Sequence, residues 1–162
     1  MQMNWTILLL TAIIPMVMGF IWYNPKVFGK SWMNATGLTE DKMKGANMAL
    51  IFTLSYIFSF MFAMYLYSGV VIHQNHIYSI FANDQSTEAT AYVKDFMDKY
   101  GNNFRTFKHG AFHGVLLGLF LILPVVATNA MFERRGFKYI AINVGYWTVC
   151  AALMGGMICA YA

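Results

Sequence analysis

The chain has 162 residues, of which 59% are hydrophobic and only 11% are charged. Soluble domains use about 45–50% apolar and about 25% charged residues, and a domain of this size cannot bury so much apolar surface. The formal net charge is +4, yet no cluster of Lys and Arg is longer than two residues. The composition therefore excludes a water-soluble enzyme and a nucleic-acid-binding protein, and it indicates an integral membrane protein.

Four long stretches without charged residues predict four transmembrane helices. A helix needs about 20 apolar residues to cross a hydrocarbon core of ~30 Å, and it satisfies its backbone hydrogen bonds internally, as lipid requires. The predicted spans cover about residues 5–23, 46–72, 110–132 and 139–161. The expected fold class is all-α, a polytopic membrane protein whose residues 1–162 form a single membrane domain.

The first apolar stretch is expected to stay in the protein as a span, because no positive charge precedes it as in a signal peptide. The connecting loops then predict its orientation. The first and third loops together carry seven basic residues, whereas the long second loop carries four. Because cytoplasmic loops are enriched in Lys and Arg, the second loop and both termini are expected outside.

The second loop, residues 73–109, is predicted to contain an amphipathic helix over about residues 86–100. Ser86 or Thr87 is the expected N-cap, and Gly101 the expected stop. Apolar side chains recur at helical spacing, at Ala89, Val93, Phe96, Met97 and Tyr100. Such a helix lies on the outer membrane surface or caps the bundle.

The four histidines are the main candidate site, since all of them fall at the outer ends of spans 2 and 3: His73, His76, His109 and His113. Residues three or four apart share a helix face, and imidazole is a common ligand of zinc, copper and haem iron. A carboxylate from Asp84, Glu88 or Asp95 is a further candidate ligand. The competing interpretation is an interfacial or pH-sensitive hydrogen-bonding role, so no cofactor is required by the sequence.

A glycine register on span 3 predicts close helix packing. Gly110, Gly114 and Gly118 repeat every fourth residue, which lets another backbone approach closely. Gly155 and Gly156 on span 4 are a candidate complement. The sequence leaves open whether the partner helix belongs to the same chain or to a second copy.

The third loop is short and basic, with Arg134, Arg135 and Lys138 beside Glu133. These cations are expected to set the topology. The alternatives are binding of anionic lipid headgroups and ion pairs between the third loop and Glu40 or Asp41.

Two prolines are predicted to bend their helices, Pro15 in span 1 and Pro124 in span 3. The residues around them are similar, Ile13-Ile-Pro-Met-Val17 and Ile122-Leu-Pro-Val-Val126. A duplication of two helix hairpins is one interpretation of this similarity.

Several runs of this sequence resemble a family of small four-span bacterial membrane proteins, known as domain of unknown function 1761. The first run extends from Gly19 to Trp32 (GFIWYNPKVFGKSW), and further runs are GLTE at 37–40, GANM at 45–48, HGAFHG at 109–114, LPVVATN at 123–129, FERR at 132–135 and GYW at 145–147. The resemblance implies a four-span fold in a bacterial inner membrane, and no activity. The long second loop looks like that of a Bacteroidetes-type variant.

The expected function is that of a non-catalytic accessory or oligomer-forming subunit. Its expected surroundings are the lipid bilayer, and its expected protein partner is either a second copy of the chain or a larger membrane complex. One alternative is a protein that binds metal or haem through the outer histidines. The other is a small transporter or channel-like oligomer, against which stands the absence of charged residues inside the predicted spans.

Overall fold

The computed structural model describes residues 3–162, except for the side chains of Glu40 and Met43. Helices make up 77% of the chain, and the described residues contain no strand. Four segments are long and apolar enough to cross a membrane: span 1 (Trp5–Trp22), span 2 (Met48–Val71), span 3 (Phe107–Phe132) and span 4 (Phe137–Tyr161). The all-α class is therefore confirmed, and the protein is a multi-pass membrane protein.

Span 1 consists of two helices that meet at a break. The first, α1 (Trp5–Thr11), begins where the side chain of Asn4 accepts a hydrogen bond from the backbone of Ile7, and α2 (Ile14–Trp22) has Pro15 in its first turn. Proline fits only the start of a helix, because it lacks a backbone N–H. The loop that follows contains two short helices, α3 (Gly29–Thr36) and α4 (Glu40–Met43).

Span 2 is helix α5 (Met48–Tyr65) continued by a π-helical turn (Leu66–Val71). The chain then turns into the second loop, which holds α6 (Gln74–Ile80) and the amphipathic α7 (Thr87–Tyr100). The side chain of Ser86 caps α7 by accepting a hydrogen bond from the backbone N–H of Ala89.

Span 3 contains α8 (Phe107–Leu117), a π-helical segment (Gly118–Ile122) and α9 (Leu123–Phe132). Pro124 is the second residue after the π-helical segment. Because proline cannot donate the usual helical hydrogen bond, the preceding turn widens. Span 4 is one continuous helix, α10 (Phe137–Tyr161).

Span 4 lies at the centre of the bundle. Of the 18-residue apolar segment taken from each span, 56% is buried in span 4, against 11–22% in the other three spans. The glycine register of span 3 faces it. A Cβ atom on Gly110 would overlap the backbone of Gly155, one on Gly114 would overlap Ala151, and one on Gly118 would overlap the side chain of Thr148. Gly156 faces the ring of Phe107 instead. The close packing is thus within one chain, and this face has no room for a helix from a second copy.

The two ends of the bundle differ. One end, called here the loop-2 end, carries residues 73–106, the N-terminal end of span 1 and the C-terminal end of span 4, where the Asn4 side chain donates to the Tyr161 carbonyl over 3.4 Å. The opposite end, called the basic end, carries the first and third loops. There Arg135 donates to the carbonyl of Thr36 over 2.9 Å, which ties the third loop to α3.

Among the described side chains, the third loop forms no ion pair with Asp41. Arg135 lies 3.7 Å from Glu133 of its own loop, and Asp41 pairs instead with Lys44 at 2.6 Å. The side chain of Glu40 lies outside the described residues. Arg134 and Lys138 are both exposed at the basic end.

Candidate metal centre

Three of the four histidines meet at the loop-2 end of the bundle. His73 follows the end of span 2 and precedes α6, while His109 and His113 lie on successive turns of α8. The hydroxyl of Thr106 caps α8 by accepting a hydrogen bond from the backbone N–H of His109 over 3.2 Å. This cap sets where α8 begins, and so it sets the face on which both of its histidines project towards His73.

The three imidazoles are in direct contact. Nε2 of His73 lies 2.8 Å from Nε2 of His109, so one ring donates a hydrogen bond to the other. One nitrogen from each of His73, His109 and His113 lies within 4.8 Å of the others. Ligand nitrogens around a tetrahedral ion with bonds of about 2.05 Å are ~3.3 Å apart. The distances in the group, 2.8 Å for one pair and at most 4.8 Å for the others, lie on both sides of this spacing.

The fourth histidine and the candidate carboxylates lie outside this group. His76 is exposed on α6, and its ring centroid is 6.5 Å from that of His73. Asp84 accepts a hydrogen bond from the backbone of Ser86, and Asp95 pairs with Lys99 on α7. Glu88 does not belong to the group either. Within the described residues, the candidate ligands are therefore three histidines.

The electrostatics of the site favour neutral imidazole. Burial lowers the pKa of His73 below its ordinary value, and the neighbouring rings of His109 and His76 lower this pKa further. A neutral imidazole has a free lone pair, which is the form that coordinates a metal.

A tight turn at the base of the second loop positions His109. The ring of Phe104 packs against that of His109 with centroids 5.0 Å apart, and Phe104 itself adopts a left-handed backbone conformation with φ 62°. The turn is held on span 4, because the guanidinium of Arg105 donates to the carbonyls of Cys159, over 2.7 Å, and of Ala162. The Cys159 thiol donates to the carbonyl of Phe104 over 3.3 Å.

Sequence reasoning missed this turn. Neither Phe104 nor Arg105 belongs to a recognisable motif, and only their place just before the cap of α8 distinguishes them.

Gln74 is a further residue that sequence reasoning missed. Its side-chain amide donates to the carbonyls of Gly101 and Asn103, at 2.9 and 3.1 Å, and so fastens α6 to the end of α7.

A cavity of about 350 Å³ lies beside His73. Phe96, Tyr100 and Phe104 form much of its wall. Of the three histidines of the group, only His73 lines this cavity.

Comparison with known proteins gives one match. The model of a family described as "Protein of unknown function (DUF1761)" matches residues 6–159, which is almost the whole chain. No curated protein and no solved structure matches the chain.

Proposed function

This chain belongs to the family of proteins of unknown function whose model matches residues 6–159, and we propose that it binds one divalent transition-metal ion at the loop-2 end of the bundle. The ligands are His73, His109 and His113. The observation that carries the proposal is the approach of their ring nitrogens to within 4.8 Å of one another, although His73 follows span 2 and the other two residues belong to span 3. Imidazole suits zinc, copper and nickel, and three histidines leave one coordination position open.

A small ion fits this site better than a haem. The 2.8 Å contact between His73 and His109 leaves no gap for a porphyrin plane between the two rings. The ring centroids of all three histidines are 4.5–5.0 Å apart, so they surround a point and do not line a slot.

We assign the metal a structural, non-catalytic role in an accessory membrane subunit, in which a fourth ligand closes the position that the three histidines leave open. The ion would join the end of span 2 to the start of span 3, at the point where the long second loop leaves the bundle. An oligomer or a larger complex would have to use a surface other than the glycine register, because span 4 covers that register.

We place the protein in a bacterial inner membrane, with the loop-2 end outside. The bias of Lys and Arg towards the basic end supports this orientation. Single cysteines replace Lys94 on α7 and Lys30 on α3, and intact cells are treated with a membrane-impermeant maleimide. Cys150 and Cys159 are buried and supply little background. Labelling of K94C alone supports the orientation, and labelling of K30C alone overturns it.

Metal binding is tested on protein purified without a polyhistidine tag and stripped with a chelator. Zinc and copper are titrated by calorimetry, and bound metal is measured by elemental analysis. We expect one ion per chain in the wild type and a large loss of affinity in H73Q, H109Q and H113Q. H76Q is the matched control, since His76 is exposed and outside the group. Absence of binding in the wild type, or an equal loss in H76Q, contradicts the proposal.

A further inference from the structure

A second, larger cavity lies near the basic end of the bundle, remote in the fold from the histidines. It occupies about 640 Å³ between α2, α5 and α10, with Trp32 of α3 at one side. Ligand sites of small molecules have volumes of about 300–1,000 Å³ and are mostly apolar with a few polar groups. This cavity fits that description.

One wall of the cavity is a continuous row of aromatic rings. The centroids of Trp32 and Tyr23 are 5.2 Å apart, those of Tyr23 and Tyr146 are 5.1 Å apart, and those of Tyr146 and Trp147 are also 5.1 Å apart. Aromatic faces favour offset or edge packing with another planar ring. Neighbouring rings are inclined to one another by 50–69°, so a planar ligand ring can stack on one of them and meet the edge of the next.

The hydroxyl groups of the cavity can donate or accept a hydrogen bond, whereas its two indole N–H groups, those of Trp32 and Trp147, can only donate. The hydroxyl of Tyr146 donates to the carbonyl of Pro15 over 2.6 Å, and that of Tyr23 donates to the side-chain oxygen of Asn143 over 3.4 Å. Four donor side chains of the lining have no hydrogen-bond partner within residues 3–162, namely Trp32, Ser55, Ser59 and Trp147.

The lining is uncharged, and its mouth faces the membrane. No Asp, Glu, Lys, Arg or His is among the lining residues of the described chain. The rim is formed by Phe20 and Phe58, which are 65% and 61% exposed and belong to spans 1 and 2. A ligand reaches this opening from the acyl chains and not from water. In that setting, a donor without an acceptor is costly.

We propose that this cavity binds a neutral, lipid-soluble molecule with a planar ring that carries carbonyl acceptors, that is, a molecule of the quinone class. The ring lies against the aromatic row, its carbonyl oxygens accept hydrogen bonds from indole N–H and serine hydroxyl groups, and its apolar tail leaves between spans 1 and 2. A charged phospholipid headgroup finds no counter-charge in this lining. A cationic amphiphile, which aromatic faces also attract, finds no carboxylate.

The test uses the full chain in detergent, with decylubiquinone as the probe. Trp32 and Trp147 line the cavity, so bound quinone quenches their fluorescence. We expect saturable quenching with one molecule per chain, and no competition by decane or by dodecyltrimethylammonium. Quenching that rises linearly with quinone, or displacement of the quinone by dodecyltrimethylammonium, overturns the proposal.

Two variants locate the site. Ser55→Leu fills the cavity and removes a donor, whereas Thr53→Leu makes the same kind of change at an exposed position of α5 outside the lining. We expect S55L to weaken binding about tenfold, as loss of a good hydrogen bond does, and T53L to bind as the wild type. Equal binding by the two variants overturns the assignment. Trp147→Phe keeps the ring and removes the N–H, so weakened binding in W147F supports the donor role, and unchanged binding contradicts it.

Discussion

Nε2 of His73 lies 2.8 Å from Nε2 of His109, although 36 positions of sequence separate the two residues. The contact joins the end of span 2 to the first turns of α8. It is a direct contact within the histidine group, and it links two segments that the long second loop separates in sequence.

Metal is expected to stabilise the fold through this contact. A ligand that binds only the folded state adds about 2.7 kcal/mol to the free energy of unfolding at a hundredfold excess over its Kd. Zinc at that excess should raise the Tm of the wild type and of H76Q, as measured by the thermal unfolding of each protein in detergent. H73Q should show no such rise. A rise of the same size in H73Q argues against His73 as a ligand.

The metal-free protein is expected to lose stability as the pH falls below about 6.5, the ordinary pKa of histidine. The pKa of His73 is lowered by burial and then by His109 and His76, so the unfolded chain binds the proton more readily than the folded chain. The contribution of His73 is fully present above its unfolded pKa and is lost as the pH falls through the folded pKa. Unfolding of the wild type and of H73Q is compared between pH 8 and pH 5 (on the order of the histidine range). A pH dependence that is equally steep in H73Q contradicts this expectation.

Gly114→Ala is expected to destabilise the bundle by about 1–3 kcal/mol, the usual cost of overpacking. The added methyl group would overlap the backbone of Ala151 on span 4. Gly136→Ala is the matched control, because a Cβ atom there meets nothing within 4 Å. The measurement is the free energy of unfolding of each variant in detergent, and native mass spectrometry follows the oligomeric state. If G114A is as stable as G136A, the two helices are not in close contact at this point.

Tyr146→Phe is expected to lower the free energy of unfolding by about 0.6–1.7 kcal/mol, from the average to the largest value measured for hydrogen bonds between transmembrane helices. The hydroxyl of Tyr146 donates to the Pro15 carbonyl over 2.6 Å and so holds α2 on span 4. Tyr65→Phe is the control, since Tyr65 is exposed and makes no side-chain hydrogen bond in the described structure. Equal stability of Y146F and Y65F would show that the bond contributes nothing.

The three-histidine group was predicted from the sequence only in part. Helical spacing placed His109 and His113 on one face, and both project towards His73 in the structure. The same reasoning paired His73 with His76. It did not include the turn at Ile72, which ends span 2 and makes α6 a separate short helix. His76 is therefore exposed, while His73 remains at the bundle.

The sequence by itself determined what depends on neighbours along the chain. Apolar runs of sufficient length make the four spans, because a backbone in lipid must satisfy its own hydrogen bonds. Pro15 and Pro124 mark the irregular turns of spans 1 and 3, because proline lacks an N–H.

Only the tertiary structure decided which surfaces meet. The glycine register shows that some backbone approaches span 3, but apolar helices attract one another with little specificity in lipid. Its partner is span 4 of the same chain, because Gly155, Ala151 and Thr148 lie opposite its three glycines. The three-histidine group and the aromatic cavity likewise form only through tertiary packing. Each gathers side chains from segments far apart in sequence, and their distances depend on helix packing, which no local pattern encodes.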